Sequence, residues 1–140
     1  MSSMEWQFQV AIAARLGADP VLAGLGVAVY DVAPTNLEGE PERAYPCVEI
    51  GHIDARDAGT RSSEGLDLLV RINTFSATGS FREAREIQGR LFEILHRKQS
   101  EIAVAGSHLI LIRRDGSEVD RDPDGIMHGV CEYRALIETE

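Results

Sequence analysis

The sequence has few cysteines and no long apolar run. Each of these features excludes some classes of protein. No stretch of about 18 apolar residues occurs, which excludes a membrane-spanning helix. The 2 cysteines, Cys47 and Cys131, lie far apart in apolar contexts, so we predict two reduced, buried thiols. The first residues lack a basic region followed by an apolar stretch, and no secretory signal is expected. The 140 residues predict a single domain, 1–140, with one core.

Positive charge is also in short supply. The chain has 14 Lys and Arg residues against 23 Asp and Glu residues, which gives a net charge of −9. A surface of this sign repels a phosphate backbone, so a stable grip on DNA or RNA is not expected. The excess of carboxylates also keeps a protein soluble whatever its function.

Sequence signatures of common active sites are absent as well. The chain has no G-x-S-x-G, no G-x-x-x-x-G-K-[ST] and no G-x-G-x-x-G. Cys47 or Cys131 with a histidine would make a nucleophile–base pair. Cys47, however, follows Pro46 in a predicted strand, without a basic neighbour or a helix N-terminus to lower its pKa. The sequence therefore predicts neither an enzyme nor a cofactor.

Two patterns suggest a metal site, but neither is complete. Residues 120–125 (DRDPDG) resemble the start of a calcium-binding loop, yet the twelfth position holds Cys131 and no helices flank the segment. A turn between strands is the better interpretation. The 4 histidines are His52, His96, His108 and His128. None has the spacing of a chelating pair, although His108 and His128 could face each other across the last two strands.

The hydrophobic periodicity predicts an α+β fold, with a mostly antiparallel sheet of four to five strands and two helices on one face. The predicted helices are Met4–Leu16 and Ser80–Leu95, the second starting with a Ser80/Glu83 capping box and containing Gly89, which suggests close packing on the sheet. The predicted strands are Val27–Ala33, Cys47–Ile53, Leu66–Phe75, His108–Arg114 and His128–Ile137. Long polar loops are predicted at Thr35–Ala44 and Asp115–Met127, and Asp54–Glu64 is predicted to be either an exposed loop or a flexible hairpin arm.

Four apolar residues point away from the predicted core. In the first helix, Trp6 and Val10 lie off the stripe that the core-facing residues form. In the strand Leu66–Phe75, Leu69 and Phe75 lie opposite the core-facing side. These four residues are candidates for contacts with a partner.

The order of short motifs resembles the small tail-completion, or tail-terminator, proteins of siphophages, prophages and gene transfer agents. The resemblance rests on Tyr30-Asp31-Val32-Ala33-Pro34, on Tyr45-Pro46-Cys47-Val48-Glu49-Ile50-Gly51, on the strand led by Gly65, on Gly79-Ser80 at a helix start, and on the segment Asp122–Gly129. It covers nearly the whole chain. Cys47 stands where the family pattern leads us to expect an aromatic residue.

The resemblance implies a structural protein that forms a ring, commonly a hexamer, on the finished tail tube. The implied partners are other copies of the chain, the major tail tube protein and the head-completion or connector protein. DNA would pass through the lumen without specific binding, no membrane is involved, and the location is the head-proximal end of the virion tail after assembly in the host cytoplasm. The subunit interface candidates are Trp6, Val10, Leu69 and Phe75. The docking-loop candidates are Asp54, Arg56, Asp57, Arg61, Asp120, Asp122 and Asp124.

Two other functions remain open from the sequence. A head-completion or connector ring would keep the virion role one position further along the particle. A host-encoded α+β module would bind a small ligand or a protein, with a pocket around His52 and His108.

Overall fold

In the computed structural model, which describes residues 3–31, 35, 37–40 and 42–140, two helices and three strands are followed by a third helix, a 3₁₀ turn and two more strands. They are α1 (Met4–Gly17), α2 (Pro20–Gly24), β1 (Ala28–Tyr30), β2 (Cys47–Asp57), β3 (Gly65–Ser76), α3 (Phe81–Leu95), a 3₁₀ turn (Gln99–Glu101), β4 (Ser107–Arg121) and β5 (Met127–Thr139). The strand order is β1-β2-β3-β5-β4, and only the β1–β2 pair is parallel. The predicted α+β class and mostly antiparallel sheet are confirmed.

Helices α1 and α3 cover the same face of the sheet. Their apolar stripes join one buried cluster with alternate residues of β3 and β5, which is the arrangement that helical and strand periodicities predict. The cluster includes Phe8, Ile12, Leu16, Leu68, Val70, Ile72, Ile87, Leu91, Tyr133 and Ile137. Each fully buried large side chain contributes about 1.5–3 kcal/mol to folding. None of the described helices covers the other face of the sheet.

Ser80 caps helix α3, as predicted, but the predicted capping box does not form. Ser80 Oγ accepts a hydrogen bond from the Arg82 backbone N–H at 3.2 Å. The Glu83 carboxylate does not return to Ser80; it accepts a hydrogen bond from Ser76 Oγ at 2.7 Å. Glu83 thereby ties the end of β3 to the first turn of α3.

Gly89, in the middle of α3, faces solvent rather than the sheet. A Cβ atom added there would meet nothing within 4 Å, so the close packing suggested by the sequence is wrong. Because glycine costs a helix interior about 1 kcal/mol relative to alanine, Gly89→Ala is expected to raise the free energy of unfolding by up to about 1 kcal/mol. Urea unfolding followed by circular dichroism measures this, and a destabilised variant would contradict it.

Tyr133 is fully buried in the core, and its hydroxyl has no hydrogen-bond partner among the described residues. An unpaired buried hydroxyl costs about 1–3 kcal/mol, so Tyr133→Phe is expected to be as stable as the parent protein or more stable. Tyr30→Phe is the matched control, since the Tyr30 hydroxyl accepts a hydrogen bond from the Ala44 N–H at 3.1 Å. That variant should lose about 0.5–1.5 kcal/mol. Equal losses in both variants, measured by thermal unfolding, would refute the assignment.

The region around the first strand differs from the prediction. The observed strand β1 covers only Ala28–Tyr30 and runs parallel to β2, with Ala28 opposite Cys47. Val32 and Ala33 of the predicted strand, Pro34 after it, and residues 36 and 41 of the predicted loop lie outside the described residues.

Both long hairpins extend further than the periodicity predicted. Strand β2 continues through Asp54–Asp57, so the predicted loop is shortened to residues 58–64. Strand β4 continues through residues 115–121, which pair with β5, and only Asp122–Ile126 remains as a turn. The added segments are mostly exposed. Backbone pairing holds most of each arm, with Val119 packed against Ala84 and Met127 as a buried exception, and side chains that bury little leave no alternation to detect.

The short helix α2 is a further element that the sequence did not reveal. Asp19 caps it, because its Oδ2 accepts a hydrogen bond from the Leu22 N–H at 2.9 Å. The same carboxylate receives two hydrogen bonds from Arg90 of α3: Nε at 3.0 Å and a terminal nitrogen at 2.6 Å. Asp19 is only 7% exposed. This pair fixes α2 against α3.

Candidate functional site

The outer side of α1 carries two exposed apolar residues. Trp6 is 48% exposed and Val10 43%. Their orientation follows from helix geometry, because Phe8 and Ile12 bury the opposite side against the sheet. The predicted orientation is confirmed. Tryptophan is among the residues that contribute most to protein interfaces, so this side of α1 is a candidate contact surface.

Phe75 lies on the helix-free face of the sheet, as predicted, but two side chains cover it. The Arg43 guanidinium carbon is 4.1 Å from the centre of the Phe75 ring, and the His128 ring stacks on it at 4.6 Å and 11°. Glu49 accepts a hydrogen bond from Arg43 at 2.9 Å, while His128 Nε2 lies 2.9 Å from Asn73 Oδ1. Burial and the nearby Arg43 charge lower the pKa of His128. The His128 imidazole is therefore uncharged near neutral pH. Together with Arg43 it covers the Phe75 ring.

Leu69, on the same face, lines a groove of about 280 Å³. The other lining residues are Asp54, Arg56, Asp67 and Arg134. One terminal nitrogen of Arg134 contacts both oxygens of Asp67 at 3.1 and 3.2 Å, and Arg56 Nε lies 3.5 Å from Asp54. Two cations and two carboxylates compensate each other, so the groove is polar and close to neutral, with one apolar member.

The docking-loop candidates divide between strands and loops. Asp54, Arg56 and Asp57 lie on β2, in agreement with the predicted alternative of a hairpin arm, whereas Asp120 lies on β4, so its placement in a loop is wrong. They belong to the exposed arms of the two hairpins. Arg61 lies in the loop 58–64 and Asp122 and Asp124 in the β4–β5 turn, as predicted.

The DRDPDG segment is a turn held by one carboxylate. Asp122 Oδ1 accepts hydrogen bonds from the backbone N–H groups of Asp124 and Ile126, both at 2.9 Å. Gly125 has φ +84°, a conformation that glycine adopts readily. Aspartate commonly stabilises turns in this way. Across the part of the chain that the structure describes, no group of three or more potential metal ligands is found.

The histidines do not meet. His108 pairs in register with Glu138 and His128 with Asp120, at opposite ends of the β4–β5 pair. The suggestion that they face each other is wrong. His52 lies on β2, with β3 and β5 between it and His108 on β4. The chain therefore does not bring these histidines together into one pocket.

Both cysteines are buried and free. Burial raises the pKa of the Cys47 thiol and of the Cys131 thiol to about 11 each. Each sulfur is therefore a neutral thiol near pH 7, whereas the thiolate is the nucleophilic form.

The sequence missed a second exposed apolar region, beside the start of α3. Leu25 and Phe81 are each 42% exposed. Leu25 and Ile87 line a groove of about 280 Å³ whose other lining residues are Thr78, Ser80, Arg82, Glu83 and Glu86. Asp19-Pro20, an N-cap residue followed by proline at the first helical position, was the available signal for α2. None of the described helices combines the length and apolar character needed to cross a membrane.

Comparison with known proteins places the chain among the tail completion proteins of phages. Residues 10–138 match the family described as Tail completion protein gp17, and the chain belongs to that family. Membership points to a structural role in a phage tail rather than an enzymatic one. The resemblance drawn from the motifs is confirmed.

The fold matches that of solved structures. A chain of the "Virion of native gene transfer agent (GTA) particle" shares 22% sequence identity, with a TM-score of 0.85 and 99% of each chain covered. None of the curated proteins matches the chain.

Proposed function

We propose that this protein forms a ring on the head-proximal end of a phage-like tail tube, where it stops tube polymerisation and joins the tail to the head connector. Its location is then the virion, after assembly in the host cytoplasm. The observation that carries the proposal is membership of the tail-completion family over residues 10–138. The partners are further copies of the chain, in a ring of six, together with the major tail tube protein and a head-completion or connector protein.

The two hairpin ends suit a protein that joins two partners. Gly65 pairs with Glu138 and Ser76 with Met127. The loop 58–64 therefore lies at one end of the sheet, and the turn Asp122–Ile126 at the other. Strand β3 has 12 residues, which separates the two ends by about 40 Å. One end carries Arg61 for a contact with tube or connector, and the other carries Asp122 and Asp124.

A ring closes only through a heterologous contact, in which two different surfaces of the subunit meet. The outer side of α1, with Trp6 and Val10, supplies one exposed apolar surface. Leu69 and the covered Phe75 on the helix-free sheet face are the other candidates. A net charge of −9 lets DNA pass through the lumen without being held, because like charges repel.

The direct test is light scattering coupled to size-exclusion chromatography, for the chain alone and with purified tail tubes, followed by electron microscopy of tube ends. A ring on one end of each tube, and shorter tubes when the chain is added during assembly, are expected. A protein that stays monomeric alone and never occupies a tube end would overturn the proposal. Labelling of tail-less heads instead of tails would move the protein to the head side.

Substitution of Trp6 by serine tests the α1 surface. We expect Trp6→Ser to reduce occupancy of tube ends at least about tenfold, because an anchoring tryptophan commonly contributes 2 kcal/mol or more to an interface. Val21→Ser is the matched control, since Val21 is a 45% exposed apolar residue on α2. Equal occupancy for both variants would remove the α1 surface from the interface.

A further inference from the structure

Strand β4 forms one edge of the sheet, and its exposed edge is partly covered by the chain itself. Three hydrogen bonds reach it from the segment after α3. The Arg97 N–H donates to the Ile112 carbonyl at 2.7 Å, the Ile112 N–H to Gln99 Oε1 at 3.4 Å and the Arg114 N–H to His96 Nδ1 at 3.0 Å. The backbone groups at Ile112 and Arg114 are therefore already bonded. A second β4 strand cannot pair symmetrically through this part of the edge.

A basic cluster lies on and beside the covered half of β4, in an otherwise acidic protein. The cluster consists of His96, Arg97, Arg113 and Arg114. Arg97 Nε lies 3.3 Å from His96 Nε2, and burial together with the three guanidinium groups lowers the pKa of His96. Arg113 pairs with Asp115 at 3.4 Å, and Arg114 lies over the Phe92 ring at 4.4 Å. Within the described residues, neither Arg97 nor Arg114 forms an ion pair.

The other half of β4 carries carboxylates instead. Glu118 and Glu132 line a groove of about 250 Å³ together with Gly116, Ser117 and Val130, which we call the acidic groove. Glu118 is exposed and forms no ion pair among the residues described. Arg71 lies opposite Glu132 in the β3–β5 register, so Glu118 is the more available carboxylate of the two.

Arg97 of the basic cluster and Glu118 of the acidic groove are too far apart to pair with each other within one copy. The Arg97 backbone bonds to Ile112, and Ile112 precedes Glu118 by six positions along β4. At about 3.3 Å per residue this distance is about 20 Å. Complementary charges separated in this way on one subunit suit a head-to-tail contact between copies.

We infer that the basic cluster of one copy docks into the acidic groove of the next copy, with Arg97 facing Glu118. The inference rests on the proposed ring and specifies its polarity: each subunit offers the covered half of β4 to one neighbour and the acidic half to the other. Such a contact is heterologous, and it leaves the hairpin ends free for tube and connector.

Charge reversal tests the contact, with occupancy of tube ends by electron microscopy as the readout. Arg97→Glu and Glu118→Arg should each lower occupancy at least about tenfold, because each places like charges opposite one another. The double variant restores complementarity and should assemble. An equimolar mixture of the two single variants should also assemble, since alternating copies again face opposite charges. Arg85→Glu, on the outer side of α3, changes the net charge by the same amount as Arg97→Glu and should assemble normally.

The outcomes separate this contact from the ring itself. If the parent protein occupies tube ends and Arg97→Glu and Glu118→Arg also occupy them, the inference is overturned. The proposed function then stays in place. Failure of the double variant and of the mixture, with circular dichroism showing folded subunits, would also overturn it. Parent protein that never caps tubes removes the proposed function. A closed dimer of the parent protein that both single reversals disrupt would refute the head-to-tail polarity.

Discussion

Replacing Asp19 by alanine is expected to lower the free energy of unfolding by about 2–4 kcal/mol, through loss of the α2 cap and of a largely buried ion pair. The carboxylate accepts hydrogen bonds from the Leu22 N–H and from two Arg90 nitrogens. Removing it leaves Arg90 facing the α2–α3 contact without that partner. Urea unfolding of the parent and the variant measures the loss.

Two further variants separate the contributions of cap and charge. Asp19→Asn keeps a side-chain oxygen for Leu22 but loses the charge, so its loss should be smaller than that of alanine. Glu93→Ala removes the other partner of Arg90, which lies at 3.0 Å on an exposed side chain. Its loss should stay below about 0.5 kcal/mol. Equal stabilities for Asp19→Ala and Glu93→Ala would contradict a structural role for the Asp19–Arg90 pair.

The stabilisation from Asp19 should also depend on pH. Hydrogen bonds from Arg90 hold the pKa of Asp19 below its ordinary value of 3.8. Since the folded pKa is lower than the unfolded pKa, the stabilisation is fully present above pH 4 and is lost as the pH falls through the folded pKa. The difference between parent and Asp19→Ala should therefore narrow below pH 4. A difference that stays constant down to pH 2 would refute this linkage.

Replacing Gly129 by alanine is expected to cost about 1–3 kcal/mol, although the added group is a single methyl. A Cβ atom at this position would lie 2.6 Å from Gln88 Nε2 and 3.3 Å from Gln88 Cδ. Gln88 is only 4% exposed, and its Nε2 donates to the Glu118 carbonyl at 2.9 Å. Moving Gln88 away leaves a buried amide without this bond.

A double-mutant cycle identifies the cause of that loss. In a Gln88→Ala background the space above Gly129 is open, so Gly129→Ala should cost less than about 0.5 kcal/mol there. Calorimetric or urea unfolding of the four proteins gives the coupling energy. Equal costs of Gly129→Ala in both backgrounds would show that Gln88 is not the obstacle.

Elements that bury one face were predictable because burial imposes a period on the sequence. Phe8, Ile12 and Leu16 repeat at helical spacing, and Leu68, Val70 and Ile72 alternate as a strand must. All six are buried. The exposure of Trp6 and Val10 follows from the same geometry, since the core-facing stripe fixes the opposite side of α1.

The arms of the hairpins escaped prediction for the converse reason. Residues 54–57 and 115–121 pair through their backbones, while most of their side chains remain exposed. Backbone hydrogen bonds are available to nearly every residue type, so such a segment has no distinctive pattern. The prediction of a loop at Asp120 is wrong for this reason.

The sequence by itself determined the two long helices, the strands that face the core, the acidic excess and the family. Only the tertiary structure decided what covers Phe75, how Asp19 joins α2 to α3, and which charges gather around His96. Arg43 and His128 lie far apart in the sequence, yet both contact the Phe75 ring. Local periodicity reports whether a residue is buried, because burial selects its polarity. It carries no information about which distant residue becomes the neighbour, since chain packing alone sets that choice.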